Sequence, residues 1–491
     1  MSPALPLERS SRAPRLSAPE EGRTWRWVLA AALVGGLAVF LRLGEWSLWI
    51  DEVHTLHDSR ALGEGPLPRY PLGYWATELA IRLLGRTDEL TLRLVPALFG
   101  WLAVGATYWA FAPAAGRTRA AAAALLLAAS SWHLFWAQNA RSYSMAQCLA
   151  LLGAGFWLRG LLQERAWQLV AGLALAALAG LAHPSAALLV PALVLAPLAL
   201  SLVPDMAPRR LPRSLFVLLG AGCALVLGAW GFEVWRRYQD AKGTWPADWS
   251  AFAAMALQGA KHFALTSGWH ITPILLAGAT LGAWLGWRRR SRLDVTASLV
   301  CLLVTLIAVG AAAFVVVSAQ YVFALLPWVA VLATAPMVRG NGGARGVRWW
   351  YLGLLVVPLA VDSWLYFAVR HGDRPRWREA YAYVWEQRGP LDLVVGMSAV
   401  VGEYYLAPQK SELRQPEAVA HLTPYTTFVP SQWARHERRT WFVIHRESFE
   451  DWWDHKERRD LERMLEQCRL VKEFRVPLTP RDLDVLVYVR E

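Results

Sequence analysis

The sequence predicts a polytopic α-helical membrane protein with a small α/β unit at its C-terminal end, and three observations carry that prediction. First, 55% of the 491 residues are hydrophobic and the mean hydropathy is +0.27, too apolar for a soluble chain of ordinary surface-to-volume ratio. Second, the apolar residues gather into runs such as Trp25 to Leu43, Leu92 to Phe111 and Val295 to Val317. Such runs reach the roughly 20 residues that cross ~30 Å of hydrocarbon at ~1.5 Å per residue. Third, the basic residues fall between these runs in an alternating pattern.

Eleven spans are predicted: Trp25 to Leu43, Leu92 to Phe111, Ala120 to Ala137, Ser142 to Leu158, Trp167 to Ala182, Ala186 to Val203, Leu215 to Val234, Ile271 to Trp287, Val295 to Val317, Tyr321 to Met337 and Trp349 to Val369. The first follows a Pro-rich tail over residues 1–24 that carries Arg9, Arg12, Arg15 and Arg23 and reads as disordered and cytoplasmic. Its length and the lack of a small-residue cleavage site mark it as a retained anchor. Pro71 to Leu84 has only 14 residues, about 21 Å of helix, and reads as an interfacial or re-entrant helix.

With the N-terminus inside, the predicted cytoplasmic connections hold Arg117 and Arg119, Arg159 and Arg165, Arg209, Arg210 and Arg213, Arg288 to Arg290 with Arg292, and Arg339, Arg345 and Arg348. The short external connections together hold one arginine, Arg141. That asymmetry obeys the positive-inside rule. It also accounts for the net charge of +12 as a membrane property, with nucleic acid excluded as a partner. The Gly340 to Gly346 segment reads as a loop, since no strand precedes it. Three of the four cysteines (Cys148, Cys223, Cys301) sit inside apolar runs and Cys468 stands alone, so neither a disulfide framework nor a thiolate metal site is expected.

This threading predicts a transmembrane unit over residues 25–370, external segments over 44–91 and 235–270, and an external α/β unit over 371–491. In the last, Trp377 to Arg388 and Glu447 to Cys468 have helical character. Leu391 to Gly396, Trp441 to His445 and Leu483 to Arg490 are strand-like.

The polar residues that stand out gather on the external side. Trp49-Ile50-Asp51-Glu52-Val53-His54 sets two adjacent carboxylates before an imidazole. A carboxylate beside an acceptor hydroxyl is a usable general base; an N-cap or a solvated acidic pair fits the same residues. Gln138-Asn139-Ala140-Arg141-Ser142-Tyr143 places a guanidinium where it can grip a phosphate, or simply snorkel. His183 before Pro184 is a candidate substrate contact or a helix cap. Lys261 and His262, with Trp245, Trp249, Trp269 and His270, suit a sugar-phosphate headgroup, while the 28 tryptophans also fit an interfacial belt. There is no G-x-G-x-x-G between strand and helix, no Walker loop and no HExxH motif.

At these residues the sequence resembles the GT-C superfamily of membrane glycosyltransferases, in the branch of protein O-mannosyltransferases and the aminoarabinose transferase of lipid A. The similarity runs through Ser47-Leu48-Trp49-Ile50-Asp51-Glu52, Tyr70-Pro71-Leu72-Gly73-Tyr74-Trp75, Leu92-Arg93-Leu94-Val95-Pro96-Ala97-Leu98 and the segment from Gln138 to Tyr143. The resemblance implies transfer of a sugar from a polyprenyl-phosphate carrier to a hydroxyl of a lipid, glycan or protein acceptor, on the external face of a cell inner (plasma) membrane. Asp51 would then be the base, Glu52 would support it or hold the acceptor, and Arg141, with Lys261 and His262, would bind the donor phosphate. His54, Tyr70, Gln138, Tyr143 and His183 are the candidate substrate contacts. No cofactor is called for, although a divalent metal is compatible; cations at a phosphate leaving group can do the same work. Relatives often carry His-Pro-Pro-Leu at Tyr70-Pro71-Leu72 and Arg-Tyr at Gln320-Tyr321. A transporter or flippase of a lipid-linked precursor would use the same cations without a base, and would be favoured by inverted repeats or broken helices, neither of which the sequence displays. A non-catalytic assembly or sensory protein would not need Asp51.

Overall fold

The computed structural model describes residues 24–64, 71–202, 206, 214–224, 228, 231–232, 249–312, 318–338, 347–396, 399–406, 419–421, 439–447, 456–479 and 481–491. The expected N-terminal tail, Tyr70, Trp245 and the Gly340 to Gly346 segment lie outside these. The first apolar run forms helix α1 (Thr24–Gly36), continued by a 3₁₀ turn to Phe40. After an irregular stretch come α2 (Ile50–Arg60) and α3 (Pro71–Leu84). Then follow α4 (Glu89–Ala115), α5 (Arg117–Ala129), α6 (Ser131–Ala137), α7 (Tyr143–Gln163), α8 (Ala166–Ala182), α9 (Leu189–Ser201) and α10 (Ser214–Ala224). The bundle closes with α11 (Trp249–His270), α12 (Pro273–Arg289), α13 (Arg292–Ala312), α14 (Leu326–Ala333) and α15 (Trp349–Ala368).

The predicted spans are helical over most of their described residues, with non-helical positions such as Arg42, Ser130 and Thr272, and α3 occupies the predicted bounds. Among the described residues six helical stretches are long and apolar enough to cross a membrane, or seven if α5 and α6 count as one. This is a multi-pass membrane protein. The expected total of eleven includes the shorter Thr24–Phe40, Ala166–Ala182 and Ser214–Ala224 and so is not settled by length and apolarity.

Two local expectations are corrected. The run from Ala120 to Ala137 is not one straight helix: α5 and α6 meet at 66°. Ser130, extended at φ −78° and ψ 122°, caps α6 by accepting the His133 N–H at 3.4 Å. Ser363 Oγ donates to the Ala129 carbonyl at 2.6 Å, and Ser131 Oγ bonds Asp362, so the groups freed by the break find partners inside the bundle. The supposed external loop before the eighth span contains the 22-residue helix α11. Its polar Lys261, His262 and His270 interrupt the apolar pattern that would have revealed it.

The ends of the helices form two separate polar groups. Arg119 pairs with Asp294 and approaches Thr334 Oγ1, joining the start of α5 to the start of α13 and the end of α14. Arg289 bonds the carbonyls of Ala335 and Val338. At the other ends, Gln147 Nε2 donates to the Phe323 carbonyl and the His183 and Tyr321 rings lie 6.3 Å apart.

Beyond α15, helices α16 (Trp377–Gln387), α17 (Ala399–Leu406) and α18 (Lys456–Leu465) accompany a five-stranded mixed sheet. The strands are β1 (Leu393–Gly396), β2 (Val419–His421), β3 (Thr440–His445), β4 (Arg469–Phe474) and β5 (Val485–Arg490), in the order β2-β1-β3-β5-β4. β1 runs parallel to β2 and β3, whereas β5 is antiparallel to β3 and β4. Strand alternation divides the residues between two faces. Val394, Trp441, Val443, Val485 and Val487 join Trp377 and Tyr381 of α16, while Val395, Phe442, Ile444 and Leu486 join Leu461 and Met464 of α18. The first of these clusters also contains Leu48, Val53, Leu56, Ile81 and Leu92, so the sheet's core is continuous with the packing around α2.

Helices α7 and α8 approach closely because glycines face each other. A Cβ on Gly172 would lie 2.6 Å from the Trp157 backbone nitrogen, and one on Gly153 would lie 2.7 Å from the Gly172 carbonyl oxygen. Gly172→Leu should therefore destabilise the detergent-solubilised protein by at least ~1–3 kcal/mol. Gly35→Leu, at a position with nothing within 4 Å of the added Cβ, should leave the thermal midpoint measured by size-exclusion chromatography near that of the wild type.

Candidate active site

The segment from Gly44 to Trp49 has no regular structure, so α2 needs tertiary contacts to fix its start. Glu52 supplies them. At the third position of α2 it accepts the backbone N–H of Trp49 at 3.2 Å, which is the carboxylate half of a capping box. The same carboxylate is fully buried and paired with the fully buried Arg93 of α4 through Nε at 2.8 Å and Nη2 at 2.7 Å. The Ala140 N–H donates to it at 2.8 Å, and Arg374 Nε lies 3.6 Å away. Arg93 spends its remaining N–H groups on the carbonyls of Leu43, Trp46 and Ser47.

Burial alone would raise the Glu52 pKa, but the Arg93 and Arg374 charges and the bonds from Arg93 and Ala140 outweigh it and hold the carboxyl below its ordinary value of 4.5. Glu52 is therefore an anchored anion whose lone pairs are occupied.

Asp51 precedes it by one position and so points about 100° away around the helix. It is half-buried, and among the described residues its carboxylate bonds no other group. One turn later, Thr55 Oγ1 donates to the Asp51 carbonyl at 3.0 Å and accepts from Arg141 Nη1 at 3.3 Å. Thr55 and Arg141, with Thr77, Tyr74, Ser142 and Pro96, line a small open cleft. Gly73 is what lets α3 close one wall, since a Cβ there would fall 2.6 Å from Ser142 Cβ. Ser144 Oγ fastens α7 to the Pro96 carbonyl of α4 at 2.8 Å. The cleft thus unites the ends of α2, α3, α4 and α7.

Other expected site residues divide. His183 caps the following turn, accepting the Ser185 N–H at 3.3 Å, and its ring lies 3.9 Å from that of Tyr143. Burial, reinforced by the nearby Arg141 charge, lowers its pKa to about 3, so it is neutral. Tyr143 also packs 4.2 Å from Trp136. Gln138 turns inward, away from the cleft: its Nε2 bonds the carbonyls of Val39 and Leu41, and its Oε1 accepts from Tyr366. The amide is thus taken up by partners inside the protein. His54 is exposed on α2. Lys261 and His262 are exposed on α11, with His262 Nε2 3.3 Å from Ser318 Oγ; among the described residues no hydrogen bond or ion pair links either to α2. Arg93, Arg374 and Thr55 carry roles that the sequence reading did not assign. Arg93 was detectable as a charge inside an apolar run; Arg374 lies 322 positions from its carboxylate partner, and Thr55 has no distinguishing pattern.

Residues 66–230 match the family model of dolichyl-phosphate-mannose-protein mannosyltransferases. The chain resembles the GT-C membrane glycosyltransferases. The match includes α3, the Arg141 segment and His183, and begins after Asp51 and Glu52. No curated protein matches the chain. Among solved structures, ArnT from Cupriavidus metallidurans bound to undecaprenyl phosphate is similar with 15% identity and a TM-score of 0.49, over 95% of this chain and 98% of that one. The Archaeoglobus fulgidus oligosaccharyltransferase in complex with Zn and sulfate is similar with 13% identity and a TM-score of 0.45, over 92% of this chain and 72% of that one.

Removing one member of the buried pair leaves the other charge stranded. Glu52→Gln should cost about 3–5 kcal/mol, read as a fall in thermal midpoint at pH 7. Because the folded pKa of Glu52 is depressed, its contribution is fully present above the unfolded value near 4.5 and is lost as pH falls further, toward the folded value. The gap between wild type and variant should therefore hold from pH 7 to 5 and narrow below about pH 4.

Proposed function

We propose that this protein transfers a sugar from a polyprenyl-phosphate-linked donor to an acceptor hydroxyl, with Asp51 as general base and Arg141 at the donor phosphate. The observation that carries this reading is the division between adjacent carboxylates: Glu52 is immobilised by Arg93, while Asp51 bonds no described group and lies one turn from the Thr55–Arg141 contact at the cleft. A base must be within reach of its substrate, and within this pair only Asp51 is exposed enough to be, since Glu52 is fully buried.

In the reaction, Asp51 takes the proton of the acceptor hydroxyl as its oxygen bonds the anomeric carbon. The bond from that carbon to the phosphate oxygen breaks, and polyprenyl phosphate leaves. A single displacement inverts the anomeric centre. Arg141 opposes the charge developing on the phosphate, which electrostatic preorganisation makes a large term. Neutral His183 lines the same region with a dipole. Lys261, exposed on α11, draws the anionic donor toward this side of the bundle.

We place the site on the external face of the plasma membrane, with eleven crossings and the C-terminal sheet on the same side. The contacts support this threading. Arg119, Asp294 and Thr334, all assigned inside, meet one another, and Glu52, Ala140 and Arg374, all assigned outside, do so too. The break between α5 and α6 is a feature that would favour the transporter or flippase reading. Its explanation here is local, since Ser130, Ser131, Asp362 and Ser363 satisfy it.

Purified, reconstituted protein should release free polyprenyl phosphate from one member of a panel of polyprenyl-phosphate sugars. Asp51→Asn should lower that rate on the order of 10² to 10⁴ while the thermal midpoint is kept. Equal rates would remove Asp51 from the chemistry. Movement of intact donor between leaflets without release would favour the transporter.

A further inference from the structure

The irregular segment before α2 is held largely by residues more than 300 positions away. The Leu48 N–H donates to the Tyr405 hydroxyl of α17 at 2.6 Å, and that hydroxyl donates to Glu89 Oε1 at 3.1 Å. Arg378 of α16 forms an ion pair with the same Glu89. Its Nη1 bonds the Glu45 carbonyl and its Nη2 the Gly44 carbonyl, each at 3.1 Å, and its backbone N–H donates to Ser47 Oγ at 3.0 Å. Trp46 lies against Gly372, whose φ is +64° and where a Cβ would come within 2.8 Å of the indole. Tyr404 OH donates to the Thr87 carbonyl at 3.1 Å.

These contacts have a common target. Leu48, Trp49 and Ile50 lead directly into the first turn of α2, and Asp51 is in that turn. A segment without helix or strand bonds keeps its direction only through such outside partners. Arg93 holds it from the bundle side and the C-terminal helices hold it from the other. Tyr405 is suited to the part because its hydroxyl is both acceptor and donor. Burial first, then the Glu89 charge, raises its pKa well above the ordinary value, so the proton needed by Glu89 stays in place.

We infer that α16 and α17 form a clamp that positions the first turn of α2, with Tyr405 and Arg378 as positioning residues for Asp51. The catalytic consequence rests on the base assignment proposed above; the clamp itself does not. Misplacing a catalytic group by about 1 Å can cost on the order of 10² in rate. The clamp thus makes the C-terminal unit part of the catalytic apparatus without contact with substrate.

The test uses the full-length reconstituted protein as wild type, Tyr405→Phe, Arg378→Ala, Arg378→Lys and Asp51→Asn. Tyr405→Phe keeps the ring, which stacks 6.5 Å from Tyr381, and removes only the bridging hydroxyl. The expected result is a kcat at least about 10-fold lower for Tyr405→Phe and Arg378→Ala, with donor KM within about twofold. Amide exchange over residues 48–56 should quicken, and Arg378→Lys should recover part of kcat. Unchanged exchange in that segment overturns the clamp. A loss of kcat matched by loss of folded protein, without recovery by lysine, reduces these residues to general stability and also overturns it. Should Asp51→Asn turn over like wild type, the base assignment fails while the exchange measurement still decides the clamp.

Discussion

The structure depends on one buried ion pair, Glu52 with Arg93. Two charges without solvent exposure are costly to desolvate, and such a pair persists only when further hydrogen bonds satisfy both partners. Here they do. The guanidinium has five N–H groups, and the carboxylate and the carbonyls of Leu43, Trp46 and Ser47 take them. The carboxylate in turn receives Trp49, Ala140 and both Arg93 contacts. One side chain therefore fixes α2 against α4 and against the turn between α6 and α7, and Arg374 adds the segment that follows α15.

The same arrangement explains how two adjacent acids come to differ. Successive helical residues point in directions about 100° apart, so a turn that buries Glu52 against Arg93 leaves Asp51 at the edge of the packed region. The cost of anchoring α2 falls on one carboxylate, and the other keeps its lone pairs. An Asp-Glu pair is thus less a pair of equivalent acids than a fastener beside a carboxylate left without a described partner.

The sequence made the helices legible because ~20-residue apolar runs have few alternative explanations, and α3 was delimited by its Pro71 start and short amphipathic length. The strands β1 and β3 were visible as short apolar runs and β5 as an alternation. β4 was not, because Arg469, Lys472 and Glu473 interrupt its pattern, nor was β2, with only three residues. The α5–α6 break was encoded in Ser130-Ser131 inside an apolar run, but Asp362 and Ser363, which complete it, lie more than 200 positions downstream. Within the candidate site, Asp51, Glu52 and Arg141 stood out as charges close to apolar runs. Gln138 stood out as a neutral polar group in the same setting, and its amide is bonded inside the protein, since polarity beside a membrane marks a group that needs a partner and leaves the partner unspecified.

That distinction bears on the electrostatics of the cleft. His183, kept neutral by burial and by Arg141, contributes a dipole, so the positive potential at Thr55 comes mainly from the guanidinium. A phosphate entering beside Arg141 would oppose only the smaller of the two effects, and burial, the larger, would still keep the imidazole neutral. An anion placed there would thus meet one guanidinium beside a neutral polar ring, an arrangement with no cluster of like charges to hold apart.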